Sequence, residues 1–237
     1  MHCKPALGTL WAVAAVFAFS TITPAQFEHP DLKAGKAKVQ SVLILAPQVS
    51  LEKSGFKSTD AMMEEAHKIE DALPAVVEGV LKEHGCNVAS NPFTPEALNN
   101  DTDLKYNLAD LQKQFDTLDM QLEKKPKDVR KGRFTMGDAV NKVNPGGTAD
   151  VLVFTRGIGQ ITTTGKKLFS AIAGVGGGAS FLYLKIGVID ARAGTVLYYG
   201  RTDYVRGNFV QDPDVLAKSV RKIFKNFPGA ATPAGKS

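Results

Sequence analysis

Two glycine-bearing stretches and a scatter of titratable side chains are where this sequence could do chemistry. Gly174-Val175-Gly176-Gly177-Gly178-Ala179 satisfies G-x-G-x-x-A. That pattern holds a pyrophosphate when a strand precedes it and a helix follows, because the phosphates then meet helix-terminal amides. Here the order is reversed: a helix-forming piece, LFSAIAG, comes first and a long apolar run follows, so no nucleotide site is expected. Gly165-Lys166-Lys167 resembles the end of a phosphate loop. Lys167, however, stands where a hydroxyl should hold the metal, and Gln160 where the first glycine should be.

His29, His67 and His84 form neither an H-E-x-x-H pattern nor a paired ligand spacing, so no metal centre is expected. Asp110, Asp116, Asp119, Glu64 and Glu65 fall on helical patterns crowded with other charges and read as solvated faces rather than paired catalytic carboxylates. No serine lies in G-x-S-x-G. Cys86 has no obvious activating partner and reads as a buried structural thiol. The sequence assigns no catalytic, cofactor-binding or metal-ligating residue and no cofactor.

The chemistry left is that of contact. Thr162 to Ala179 (TTTGKKLFSAIAGVGGGA) sets Lys166 and Lys167 ahead of an apolar piece carrying Leu168, Phe169 and Ile172, then a glycine run. Those apolar side chains need cover. One reading folds the piece back as a helix on its own domain. The other makes it a protruding loop that touches a membrane surface or a neighbouring subunit, with the lysines at head groups and the apolar side chains inserted.

The first residues argue for export. Lys4 precedes an apolar run from Ala6 to Phe19, too short for a bilayer span of roughly 20 residues. Thr23 and Ala25 then put small residues at −3 and −1 of a cut between Ala25 and Gln26. Cys3 precedes the apolar run, whereas a lipoprotein cysteine follows it, so no lipid anchor is expected. Cleavage removes Lys4 and no acid, turning the net charge of +5 into 28 basic against 24 acidic residues, a net +4. That excess is too small and too dispersed to argue for nucleic-acid binding. Cys86 is then the one cysteine left, so no intramolecular disulfide can form and the core must hold the fold.

The elements that position these groups follow from periodicity. Residues 26–37 are polar, with Pro and Gly, and read as a linker to a domain over 38–228. Val39 to Ala46 is a near-continuous apolar run ended by Pro47, the pattern of a strand buried on both faces. A helix is expected from Asp60, as its cap, to Gly85, kinked or divided at Pro74. Cys86 to Ala89 forms a short strand. Residues 91–147 form a helical insert in which Leu108, Leu111, Phe115, Leu118 and Leu122 make an apolar stripe, packed on the domain's own sheet or forming a short coiled-coil seam. Lys124 to Gly132 is a basic turn. Ala149 to Gln160, Ser180 to Ile189 and Thr195 to Tyr204 read as long strands, the last two joined through Asp190 and Gly194 in a hairpin turn. Asp212-Pro213 caps a closing helix, and the tail from 229 is small and polar. The sum is one α/β domain: a mixed sheet with packed helices in a two- or three-layer sandwich.

The stretches ADVLVFTRGIGQ and LYLKIGVIDARAGTVLYYGR, with a Gly- and Ala-rich insert between them, resemble a group of bacterial envelope α/β proteins. That group includes the curli secretion channel subunit, the penicillin-binding-protein activator lipoproteins and the N-terminal domain of the TolB translocation protein. The likeness covers the C-terminal half and, more loosely, Val39 to Ala46. Ala193 stands where the group has Thr, and Tyr198 or Tyr199 where it often has Trp. The resemblance implies a non-enzymatic accessory or scaffold protein that works by contact with another envelope protein, as a homo-oligomer, or at the outer-membrane surface. With the export signal it implies the periplasm, release to the medium being the second reading. The alternative function is a small-molecule binder or weak hydrolase with a pocket at the strand ends.

Overall fold

The longest strands form where β-branched and aromatic residues run in alternation, each residue sending its side chain to the opposite face from its neighbours. A computed structural model describes residues 25–54, 59–162, 180–206 and 209–229. The leader, the tail from 230, and Lys166, Lys167, Leu168, Phe169 and Ile172 lie outside these described residues. Strand β2 (Ser41–Ile44) runs parallel to the first half of β6 (Val151–Thr162), and β3 (Gln48–Ser54) runs parallel to its second half. Pro47 falls between β2 and β3, where its missing N–H interrupts a single long strand.

Strand β7 (Phe181–Asp190) is antiparallel to β6, and β8 (Val196–Arg201) is antiparallel to β7. Short strands complete the mixed sheet: β1 (Ala25–Glu28) on β8, β4 (Thr59–Ala61) on β3, β5 (Asn87–Val88) on β2 and β9 (Val205–Arg206) on β7.

Residues 26–37, expected to be a linker, instead supply β1 and a helical turn, α1 (Pro30–Lys33). Polar composition hides this, because β1 is held by its backbone ladder and buries chiefly Phe27, while α1 buries Leu32. The expected cut between Ala25 and Gln26 thus falls inside the first described strand, where Ala25 pairs with Arg201 and Gln26 with Gly200.

Alternation divides the core in two. Val42, Ile44, Val151 and Val153 face α2 (Met63–Glu83) and α5 (Pro213–Phe224). Leu43, Leu45, Leu152 and Phe154 face α4 (Thr102–Lys124), which follows the short α3 (Pro95–Asn100). The result is a three-layer α/β/α sandwich. The stripe Leu108, Leu111, Phe115, Leu118 and Leu122 is buried on the molecule's own sheet, the first of its two expected roles.

Two details differ from expectation. Asp60 pairs with Lys53 in β4 rather than capping α2, whose N-cap is Met62 with no side-chain cap bond. Pro74 sits inside α2 without dividing it: packing of Ile69, Leu73 and Val77 against the sheet outweighs one lost backbone hydrogen bond. Cys86 is buried, as expected. Among the described residues no helix is long and apolar enough to cross a membrane.

Candidate functional site: a buried ion network beneath an aromatic groove

On the α4 side of the sheet, Arg156 of β6 stands opposite Lys185 of β7, and Lys185 stands opposite Arg201 of β8. Three cations thus form one row across three strands, and like charges opposite each other are costly unless neutralised. Helix α4 supplies the anions. Its apolar stripe is flanked by Gln112, Asp116, Asp119 and Glu123, which recur at three- and four-residue spacing and so share one edge of the helix.

The Arg156 guanidinium donates through Nε to Asp116 Oδ1 at 2.6 Å. Its Nη2 donates to the Gln112 backbone oxygen at 3.0 Å and to Gln112 Oε1 at 2.7 Å. The Gln112 amide in turn donates to the Ala46 carbonyl at 3.1 Å, tying the helix to the β2–β3 junction. The guanidinium also lies 5.0 Å from the centroid of the Phe115 ring, which stacks on Phe154.

Lys185 is the most deeply buried of the three cations, its side chain 3% exposed, and Asp119 is 8% exposed. The ammonium donates to Asp119 Oδ2 and, at 3.1 Å, to Glu123 Oε1. Tyr199 completes the carboxylate's shell by donating its hydroxyl to Asp119 Oδ1 at 3.0 Å. Burial opposes the charge on Lys185, but the hydrogen bonds and charges of Asp119 and Glu123 outweigh it and hold the ammonium's pKa above its ordinary value. Burial pushes the Tyr199 phenol far up, and the Asp119 carboxylate pushes it the same way.

The sequence places Asp116 and Asp119 on a solvated helix face. The structure corrects this for Asp119, which is buried, and ties the half-exposed Asp116 to Arg156. Asp110, Glu64 and Glu65 stay at the surface or partly exposed, outside this network. One sequence signal could have found the network: Arg156 and Lys185 are cations inside apolar strand runs, at positions whose alternation matches the inward-facing Phe154 and Gly187.

Beyond the cation row the strands continue, and on this face their side chains become exposed. The next cross-strand pair is Ile158 with Tyr183, and Ile158 is 52% exposed. Phe181 and Tyr204 pack edge to face at 4.9 Å, and Tyr183 lies 6.4 Å from Tyr204. These residues line an open groove of about 410 Å³ together with Glu123, Arg201 and Asp203. Burial raises the Tyr183 phenol pKa, while the neighbouring Arg201, which shares a side-chain hydrogen bond with it, draws it down. Among the described residues no carboxylate pairs with Arg201, and Asp203 Oδ1 is buried without a hydrogen-bond partner. Sequence reasoning missed this groove, because its residues come from the ends of β6, β7 and β8.

The remaining singled-out residues are structural. Asp190 Oδ1 accepts from the Arg192 and Ala193 amides at 2.8 and 2.7 Å, which closes the β7–β8 turn. Gly194 has φ +68°, and a Cβ there would lie 2.3 Å from the Gly137 carbonyl oxygen. Among the described residues no group of three His, Cys, Asp or Glu side chains could hold a metal.

No family model matches the chain, and no curated protein matches it in sequence. Among solved structures it is similar to the PelC dodecamer from Paraburkholderia phytofirmans in space group P6, at 11% identity over 88% of this chain and 99% of that one, with a TM-score of 0.38. It is similar to a point variant of the same dodecamer in space group C2, at 14% identity over 89% of this chain and 99% of that one, also with a TM-score of 0.38. At that level neither likeness bears on the activity or assembly of this chain.

Proposed function

We propose that this protein is a non-enzymatic accessory or scaffold protein of the bacterial cell envelope, exported to the periplasm and acting through protein–protein contact. Its partner is a second envelope protein or further copies of itself. The observation that carries this reading is the state of its charged groups. Arg156, Lys185, Asp116, Asp119 and Glu123 are spent on one another, so they hold α4 on the sheet rather than standing ready for proton transfer. What the domain offers to the outside is sheet edge and an uncovered aromatic face. Strands β1, β4 and β5 lie at edges of the sheet, with backbone groups to which a partner strand can add.

Export rests on the short apolar run after Lys4 and on the small residues Thr23 and Ala25. Contact at the membrane or a neighbouring subunit rests on Lys166, Lys167, Leu168, Phe169 and Ile172. The test is to replace Leu168 and Phe169 by Asp. Secretion, a mature N-terminus at Gln26 and thermal stability should be unchanged, while envelope association is abolished. Unchanged association, or a mature protein that starts elsewhere or carries acyl mass, would overturn the reading.

A further inference from the structure

The groove beyond the cation row carries a second inference that does not depend on the protein-contact reading. We propose that it is a binding site for a neutral saccharide. The groove floor is a sheet face, where the backbone groups of β6 and β7 already pair with each other between Ile158 and Tyr183 and between Gln160 and Phe181. A ligand lying there meets side chains alone. An extended peptide, which gains most from backbone pairing at an edge, is poorly served by such a floor.

The side chains are of two kinds. Phe181, Tyr183 and Tyr204 present rings, with Tyr204 53% exposed, and an aromatic face packs against the C–H face of a sugar ring. Arg201 and Asp203 present planar polar groups, the first without a carboxylate partner among the described residues, the second with an unsatisfied buried oxygen. A guanidinium offers fixed donors and a carboxylate offers acceptors, so the pair suits a ligand that both accepts and donates. Hydroxyl groups do both.

Charge narrows the class. A cationic ligand would meet the Arg201 guanidinium, which lines the groove. An anionic ligand would meet the Asp203 carboxylate, whose Oδ1 has no hydrogen-bond partner. A neutral polyhydroxylated ring meets neither obstacle.

The experiment titrates the full exported chain, by NMR or calorimetry, with cellotetraose and chitotetraose. A cationic chitosan tetramer and an anionic galacturonate tetramer serve as charge controls. A neutral tetrasaccharide should bind, shifting signals of Tyr183 and Tyr204. Tyr204→Ala should weaken that binding by about tenfold, the loss of one aromatic contact, and Asp203→Asn should weaken it as well while both variants keep the wild-type melting temperature. Failure of both neutral tetrasaccharides to bind, tighter binding of a charged one, or binding indifferent to both substitutions would overturn the proposal. Peptide binding at these residues without saccharide binding would overturn it too. None of these outcomes touches the envelope-association test of Leu168 and Phe169, so the two proposals fail separately.

Discussion

Replacing Lys185 by Met tests whether the buried network holds α4 to the sheet. The substitution keeps the unbranched shape of the side chain and deletes its ammonium. Asp119 then stays 8% exposed, with the Tyr199 hydroxyl as its one remaining donor at 3.0 Å. Breaking a buried ion pair by removing one partner costs about 3–5 kcal/mol, because the surviving charge is left uncompensated. For a domain of this size each kcal/mol moves the melting temperature by roughly 2–4 °C, so a fall of roughly 6–20 °C is expected. Adding Asp119→Leu removes the stranded charge and should recover most of the loss. What remains is the unpaired Tyr199 hydroxyl, worth about 1–3 kcal/mol. Tyr199→Phe as a third change should remove that as well. Urea denaturation with circular dichroism reads all three variants. A cost below about 1 kcal/mol for Lys185→Met, or a double variant no more stable than the single, would refute a network of buried, mutually dependent charges.

Three further outcomes are expected. Gly187→Ala places a Cβ 2.7 Å from Phe115 Cε2 and should cost about 1–3 kcal/mol of unfolding free energy, recovered in part by Phe115→Leu. Gly194→Ala meets both a left-handed φ of +68° and the Gly137 backbone, and should lower the melting temperature more than Gly187→Ala, since no side chain can move aside. Stability should be full below about pH 10 and fall as the pH rises above it. Tyr199 and Lys185 both hold their protons more tightly folded than unfolded, so the unfolded chain loses protons first. Tyr199→Phe should flatten that fall, as measured by urea midpoints between about pH 8 and pH 11.

How legible these features were depends on what holds each one. Strands β6, β7 and β8 and helices α2, α4 and α5 declare themselves through apolar periodicity, because each buries a side-chain face that the sequence must encode. The Asp190–Gly194 turn is legible for the same reason: Asp190 must accept the turn amides and Gly194 must adopt a positive φ. Strand β1 buries chiefly Phe27, and both β1 and β4 pair through backbone hydrogen bonds, which leave no trace in composition. The site was the least legible part. Asp119 looks like any helix-surface acid until Lys185, 66 residues away, is placed above it by the strand register. The groove exists because Ile158 and Tyr204, brought together from different strand ends with the half-buried Tyr183, stay exposed, a property of tertiary placement rather than of any motif.

The most direct measurement of the proposed role is crosslinking in intact cells, followed by recovery of the exported chain and mass analysis of its adducts. The expected result is a discrete adduct with an envelope protein or with further copies of the chain, present in the wild type and lost in the Leu168→Asp, Phe169→Asp variant. A chain recovered without adducts, whose melting temperature rises instead with a small metabolite, would contradict a role exercised through protein contact.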